Sequence, residues 1–362
     1  MSLELIVERT EAKPGFNRPG LVQIHTSDGR PVNIKEFFVD LIGFYDFDVE
    51  DESSSVNGNN IVIFFKQRQD ISHSDDDLED GRYRSFQWWF PDQLEAAARF
   101  TPESERWLEL PQRQDLPPSG DLGGGSSIKY KYEAVLIDKD KDRRYTGCRE
   151  LSLSITRINH RTDPAMVDMV RRMTYNLCAD STSEGSLSVA LKLPTEAVLA
   201  EPLPIWVRLL HKTEQTPPQV EIQSFSFNLV AHTSIRVDDL KIRKQWTHRY
   251  VILDKHFQDS DLPVISTEAK DLQTLLGTAL IPRCPLPTFS SSNVRLTYSL
   301  HASFTLQTRV HDSEAYYTLR RLQFVLDSIN ILPAESSESA WKKELKFNYD
   351  NSPERRFEHI LR

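Results

Sequence analysis

The stretch VRLTYSLHASFTLQTRV, residues 294–310, decides the fold class. Val294, Leu296, Tyr298, Leu300, Ala302, Phe304 and Leu306 fall on one side of a period-two pattern. Arg295, Thr297, Ser299, His301, Ser303 and Thr305 fall on the other. Only an extended strand keeps two such sets apart, one facing a core and the other water. The same period recurs outward in both directions. In DLIGFYDFDVE, Tyr45, Phe47 and Val49 alternate with Asp46, Asp48 and Glu50. SSIKYKYEAVLID aligns Ile128, Tyr130, Tyr132 and Ala134, and RELSLSITRI aligns Leu151, Leu153 and Ile155. A second series starts near Ser186, with Leu187, Val189, Leu191 and Leu193, then Ile205, Val207 and Leu209.

Two interruptions are informative. In QVEIQSFSFNLV the apolar phase moves from even positions (Val220, Ile222) to odd ones (Phe225, Phe227, Leu229). One extra residue near Ser224 restores the register, which predicts a β-bulge. LRRLQFVLDSINIL shows a similar shift near Asp327.

Helical period is scarce. PDQLEAAARF offers Asp92 as a cap, Glu95 as its capping-box partner and Ala96–Ala98 as helix formers. TDPAMVDMVRRMTYNLC offers Asp163 as a cap, Pro164 in the first turn and a stripe of Met166, Val167, Val170 and Met173. The glycine-rich LPPSGDLGGGSS reads as a loop. Many short strands and few helices predict an all-β chain of two tandem immunoglobulin-like β-sandwich domains with one or two short helices. The expected boundaries are 1–158 for the first sandwich, 159–185 for a connector with a short helix, 186–334 for the second sandwich and 335–362 for a polar tail.

Bulk chemistry narrows the function. The 362 residues carry a net charge of −9, and no basic run dominates, which argues against a sequence-independent grip on nucleic acid. Cys148, Cys178 and Cys284 are sparse and odd in number, as in a reducing compartment, and show no zinc-site spacing. The start MSLELIVERTEAK lacks a cationic, apolar leader, and no apolar run approaches a membrane span, so a cytoplasmic protein is expected. The acidic run SDDDLED, Ser74–Asp80, reads as a solvated loop, since it lacks the glycine and terminal glutamate of a calcium loop. The ten histidines are scattered and form no HxH or HExxH, and there is no GxSxG elbow or P-loop. No residue is therefore assigned a catalytic, cofactor-binding or metal-ligating role, and no cofactor is expected. His301 lies on a polar strand face. His248, within WTHRY, is the one place where a ligand platform competes with ordinary aromatic packing.

The segment from FTPESERWLELPQRQDLPPSG into SSIKYKYEAVLID resembles the arrestin N-terminal domain. The residues that carry the likeness are Trp107, Leu108, Leu110, Pro111 and Leu116-Pro117-Pro118-Ser119, followed by Tyr130 and Tyr132. The helix candidate at Leu94–Phe100 falls where that domain has its short helix. The opening is similar as well, with a glycine-bearing turn before a V-x-I strand and a second strand ending in L-x-G: Gly20, Val22, Ile24, Val39, Leu41 and Gly43. Val294, Leu296, Tyr298 and Leu300 resemble the I-x-V-x-Y-x-L strand of the arrestin C-terminal domain, and Pro333 its closing proline. The likeness runs in order over residues 3–333, closer to α-arrestins and fungal arrestin-like proteins than to visual-type ones.

The resemblance implies an adaptor without catalysis. Such a protein binds cytoplasmic segments of membrane transporters or receptors and recruits a HECT-type ubiquitin ligase for endocytic sorting. It implies a cytoplasmic chain recruited to the plasma membrane or endosomes. One departure stands out. WW domains read PPxY, whereas this chain has PPSG at Pro117 and TPPQV at Thr216, and Gly120 replaces the aromatic that often follows LPPS. Ligase contact is then expected through an intermediary. The alternatives are a structural subunit of a retromer-like sorting coat and, more distantly, a β-sandwich enzyme or small-ligand binder around His248.

Overall fold

The structure, a computed structural model, describes residues 1–7, 11–12, 17–26, 33–49, 58–72, 83–89, 93–95, 113–153, 164–176, 184–211, 218–237, 242–258, 262–282, 286–291, 293–309 and 317–333. The first half supplies β1 (Ser2–Val7), β2 (Glu11–Ala12), β3 (Asn17–His25), β4 (Ile34–Val49), β5 (Gly58–Asp70), β6 (Tyr83–Trp89), β7 (Gln93–Glu95), β8 (Arg113–Asp115), β9 (Gly120–Gly123), β10 (Ser126–Asp138) and β11 (Arg144–Leu153). The second half supplies β12 (Met166–Asn176), β13 (Glu184–Pro194), β14 (Glu196–Val198), β15 (Trp206–Leu210), β16 (Gln219–Val237), β17 (Ile242–His256), β18 (Val264–Ile265) and β19 (Lys270–Asp271). Helix α1 (Leu272–Leu276) follows, then β20 (Phe289–Ser290), β21 (Val294–Arg309) and β22 (Tyr317–Leu332). The chain is thus mostly β, in several largely antiparallel sheets. It divides into two compact units, Met1–Asn159 with Ser290–Ser292, and His160–Phe289 with Asn293–Ala334.

In the first unit the main sheet runs β2-β11-β10-β4-β5, with β9 also on β10, and a second sheet runs β1-β3-β6. The alternation of β10 turns Ile128, Tyr130, Tyr132 and Ala134 into the core, each at most 1% exposed. The ring of Phe86, from the second sheet, meets Tyr132 edge-on at 5.2 Å between centroids. Gly20 lies inside β3, not in a turn before it; a Cβ there would stand 2.2 Å from the Phe86 ring. Gly43 has the same logic. A register shift between β4 and β5 beside Gly43 accompanies the inward Phe64 ring, and a Cβ on Gly43 would come within 2.8 Å of both Phe64 and Tyr130. Both glycines therefore make room for aromatic rings.

Asp40 on β4 is 1% exposed and accepts from Arg68 Nε at 2.8 Å and from Lys66 Nζ at 3.0 Å. Burial pushes its carboxyl up, but the bonds from Arg68 and Lys66 outweigh burial and hold it below its ordinary value. A carboxylate with a depressed folded pKa adds stability above its unfolded pKa of about 3.9, and that stability is lost as pH falls below it. Asp40→Asn is expected to lose about 1–3 kcal/mol at pH 7, below the buried-pair range because both cations stay half-exposed and can rehydrate. Denaturant unfolding should show this gap from the parent narrowing between pH 5 and pH 3; a constant gap would refute the assignment.

In the second unit one sheet runs β12-β13-β15-β19 and the other β14-β22-β21-β16-β17, with β18 on β16 and β20 on β21. A single core draws on both: Val189, Leu191 and Val207 from the first, Phe225, Phe304 and Phe324 from the second. The expected bulge is present. Ile222 pairs Leu306 while Ser224 pairs Thr305, so Gln223 is the extra residue. The shift near Asp327 is present too, since Tyr298 pairs Ile329 and Leu300 pairs Leu326.

Three expectations are corrected. The helix expected from Asp163 is strand β12, paired with β13 over its whole length. Val167, Met169 and Met173 pair with the core residues Leu193, Leu191 and Leu187 of β13, and with the buried Tyr175 they carry the strand period. Arg171 shares their face and hides it, but its side chain reaches the Gln323 carbonyl at 3.1 Å. In the helix candidate at Asp92–Phe100, Gln93–Glu95 form β7 against β8; Asp92 and Ala96–Phe100 lie outside the described residues. The helix among the described residues is α1, capped by Asp271, whose carboxylate accepts from Gln273 N at 2.9 Å. The glycine-rich loop is a hairpin of β9 and β10 turning on Gly123, Gly124 and Gly125, all at positive φ.

Candidate functional site

The LPPS segment, which carries the resemblance in the first half, is held within the fold. Leu116, Pro117 and Pro118 are all buried. Tyr130 Oη donates to the Pro117 carbonyl at 2.7 Å. Ser119 N donates to the Leu153 carbonyl at 2.9 Å, and Leu153 N donates back to Ser119 Oγ at 2.8 Å. The segment thus binds β10 to β11 within its own unit. A WW-type groove needs an exposed polyproline face, and these two prolines do not offer one.

The histidines divide. His248 is exposed on β17, the last strand of its sheet, where its ring meets Tyr250 edge-on at 4.5 Å. His301 is half-buried and bonded. Ser299 Oγ lies 2.9 Å from His301 Nε2 and 2.8 Å from His232 Nε2. The hydroxyl has one proton and two acceptor lone pairs, so the two neutral rings cannot both accept from it and at least one donates through Nε2. Burial pushes the His301 ring down, and Arg249 and His232 add to this against the opposing pull of Asp327. Ser299 is only 3% exposed, which closes its hydroxyl to a substrate and makes the trio a cross-link between β16 and β21. Among the described residues no group of three His, Cys, Asp or Glu could hold a metal ion. Cys148 is exposed with a free thiol. The acidic run Ser74–Asp80 lies outside the described residues.

A concave site lies elsewhere, on the face of β12, β13 and β15 opposite the core. Its rows follow from pairing: Asp168 opposes Lys192, and Lys192 opposes Trp206; beside them Val170 opposes Ala190, and Ala190 opposes Arg208. Ala190 is a short side chain, 3% exposed, among long ones, which leaves a hollow. The resulting cavity is about 330 Å³, lined by Met166, Asp168, Ala190, Lys192, Trp206 and Arg208, with Val207 and Ala269 at its side. His248 does not line it. An apolar floor with a few charged groups at its rim is the usual make-up of a ligand pocket. None of the sequence motifs pointed to it.

No family model matches the chain, and no curated protein does. The functional reading therefore rests on the residues themselves.

Proposed function

We propose that the chain is an arrestin-like adaptor of two β-sandwich domains. It joins membrane cargo, transporters or receptors, to ubiquitination and endocytic sorting machinery through protein–protein contacts without catalysis. The observation that carries this reading is the Leu116–Ser119 segment together with Tyr130. These are the residues of the strongest family-like motif, and their hydrogen bonds and burial give them a role in the fold rather than in display. The shared core of the two sheets in the second unit is in keeping with a sandwich. Since neither PPSG nor TPPQV carries a tyrosine, the ligase is reached through an intermediary. The step from such a fold to an adaptor is analogy, and it is tested directly. A tagged chain purified from its own cells is expected to bring down a transporter or receptor with ligase or coat components by mass spectrometry. Repeated preparations with none of these would overturn the proposal.

The missing tyrosine also supports a second reading, a subunit of a retromer-like sorting coat. Size exclusion of native extract separates the two, because an obligate coat subunit never runs as a free monomer.

A further inference from the structure

We propose that the cavity over Ala190 is a docking site for an acidic peptide segment that inserts one aromatic side chain. The apolar part is set by Trp206 and Met166, an indole and a thioether, both of which make favourable contacts with an aromatic ring. At about 330 Å³ the hollow sits at the small end of ligand pockets, roughly 300–1,000 Å³, with room for one bulky side chain rather than a large cofactor. The charge preference comes from the rim. Lys192 and Arg208 stand against the single carboxylate Asp168, an excess of one positive charge in a chain whose net charge is −9. Among the described residues none of these three side chains forms a hydrogen bond or ion pair, although Asp168 directly opposes Lys192. Two cations on paired strands beside an apolar hollow, without partners among the described residues, complement a carboxylate next to an aromatic ring. The neighbouring Val170, 46% exposed on the same face, extends the apolar surface beyond the cavity. The choice of a peptide over a free small carboxylate rests on the adaptor reading.

The probe is a fluorescein-labelled Glu-Glu-Phe-Glu-Glu peptide, read by anisotropy against the full chain. It should bind saturably, and its Lys-Lys-Phe-Lys-Lys and Glu-Glu-Ser-Glu-Glu counterparts should bind at least about tenfold more weakly. Lys192→Glu and Arg208→Glu sit at exposed positions and should fold like the parent by circular dichroism, yet each should weaken the acidic peptide by about tenfold. Ala190→Leu should plug the hollow and abolish binding; the two charge variants keep the test decisive should that variant fail to fold. Absence of saturable binding, or binding unchanged in both charge variants, overturns the proposal. So does full competition by equimolar N-acetylphenylalaninate, which would make the site a small-carboxylate pocket. The adaptor reading fails separately: peptide binding lost in Arg208→Glu, with no cargo in the purification, leaves the site standing and removes the adaptor.

Discussion

Replacing Tyr130 by Ala is expected to cost about 3–5 kcal/mol of unfolding free energy and to leave the first unit at or below the margin of folding. Three losses combine at this one position. The ring is fully buried and packs edge-on against Phe64 at 5.7 Å. It also roofs Gly43, so its removal opens a void where a Cβ was excluded. The hydroxyl is the donor to the Pro117 carbonyl, and that carbonyl is left without it. Burial first, and the neighbouring Tyr45 second, push the phenol well above its ordinary value, so it remains a donor across the working pH range. Tyr130→Phe isolates the last loss and should cost about 1–2 kcal/mol, the penalty for one buried, unsatisfied carbonyl. Chemical denaturation of both variants measures the two parts. If Tyr130→Phe matched the parent, the Leu116–Ser119 segment would not depend on this bond, and the structural account of its prolines would fail.

What the sequence revealed depended on whether a pattern was local. The alternations of β10, β13 and β21 were legible because the core-facing set of each strand is a continuous apolar run, so period two shows even where Val135, Ala190 and Ser299 on the other faces are also buried. Two of the register shifts in the second unit were legible in the same way, each as a change of phase within one strand. Strand β12 was not. Arg171 takes the place of an apolar residue in the period, its exposed side chain on the core-side phase, and Asp163-Pro164 supply helix-start chemistry, so local signals favoured a helix. Pairing with β13 along eleven residues overrode them. The five-residue helix α1 is too short to show a period. The cavity was invisible for a deeper reason. Asp168, Lys192 and Trp206 become one row only through the registers of two strand pairs, and no property of any single strand announces it. Gly20 and Gly43 were singled out as motif residues, but their reason is tertiary, an aromatic ring laid over each.

Deleting Asn228 is expected to be among the most damaging single-residue changes to the second unit, while deleting Gln223 is expected to cost far less. The contrast follows from what the two residues do for the phase of β16. Gln223 is the extra residue of the bulge: Ile222 pairs Leu306 and Ser224 pairs Thr305, so its removal joins two stretches that are already in register on β21. Val220, Ile222, Phe225, Phe227 and Leu229 then share one phase of a regular strand, and all stay inward. What is lost is local, chiefly the Gln223 carbonyl that accepts from Phe257 N at 3.0 Å. A loss of about 1–3 kcal/mol is expected. Asn228 stands between Phe227 and Leu229, both fully buried. Its removal puts Phe225 and Phe227 out of phase with Leu229, Ala231 and Ile235, and one of the two sets must turn outward. Turning out the two rings costs about 1.5–3 kcal/mol each by transfer, with further cost for the space they leave between the sheets, so a loss of about 5 kcal/mol or more is expected. Thermal and denaturant unfolding of the two deletions decide the matter. Equal losses would mean that the phase change in QVEIQSFSFNLV is not absorbed by the bulge at Gln223.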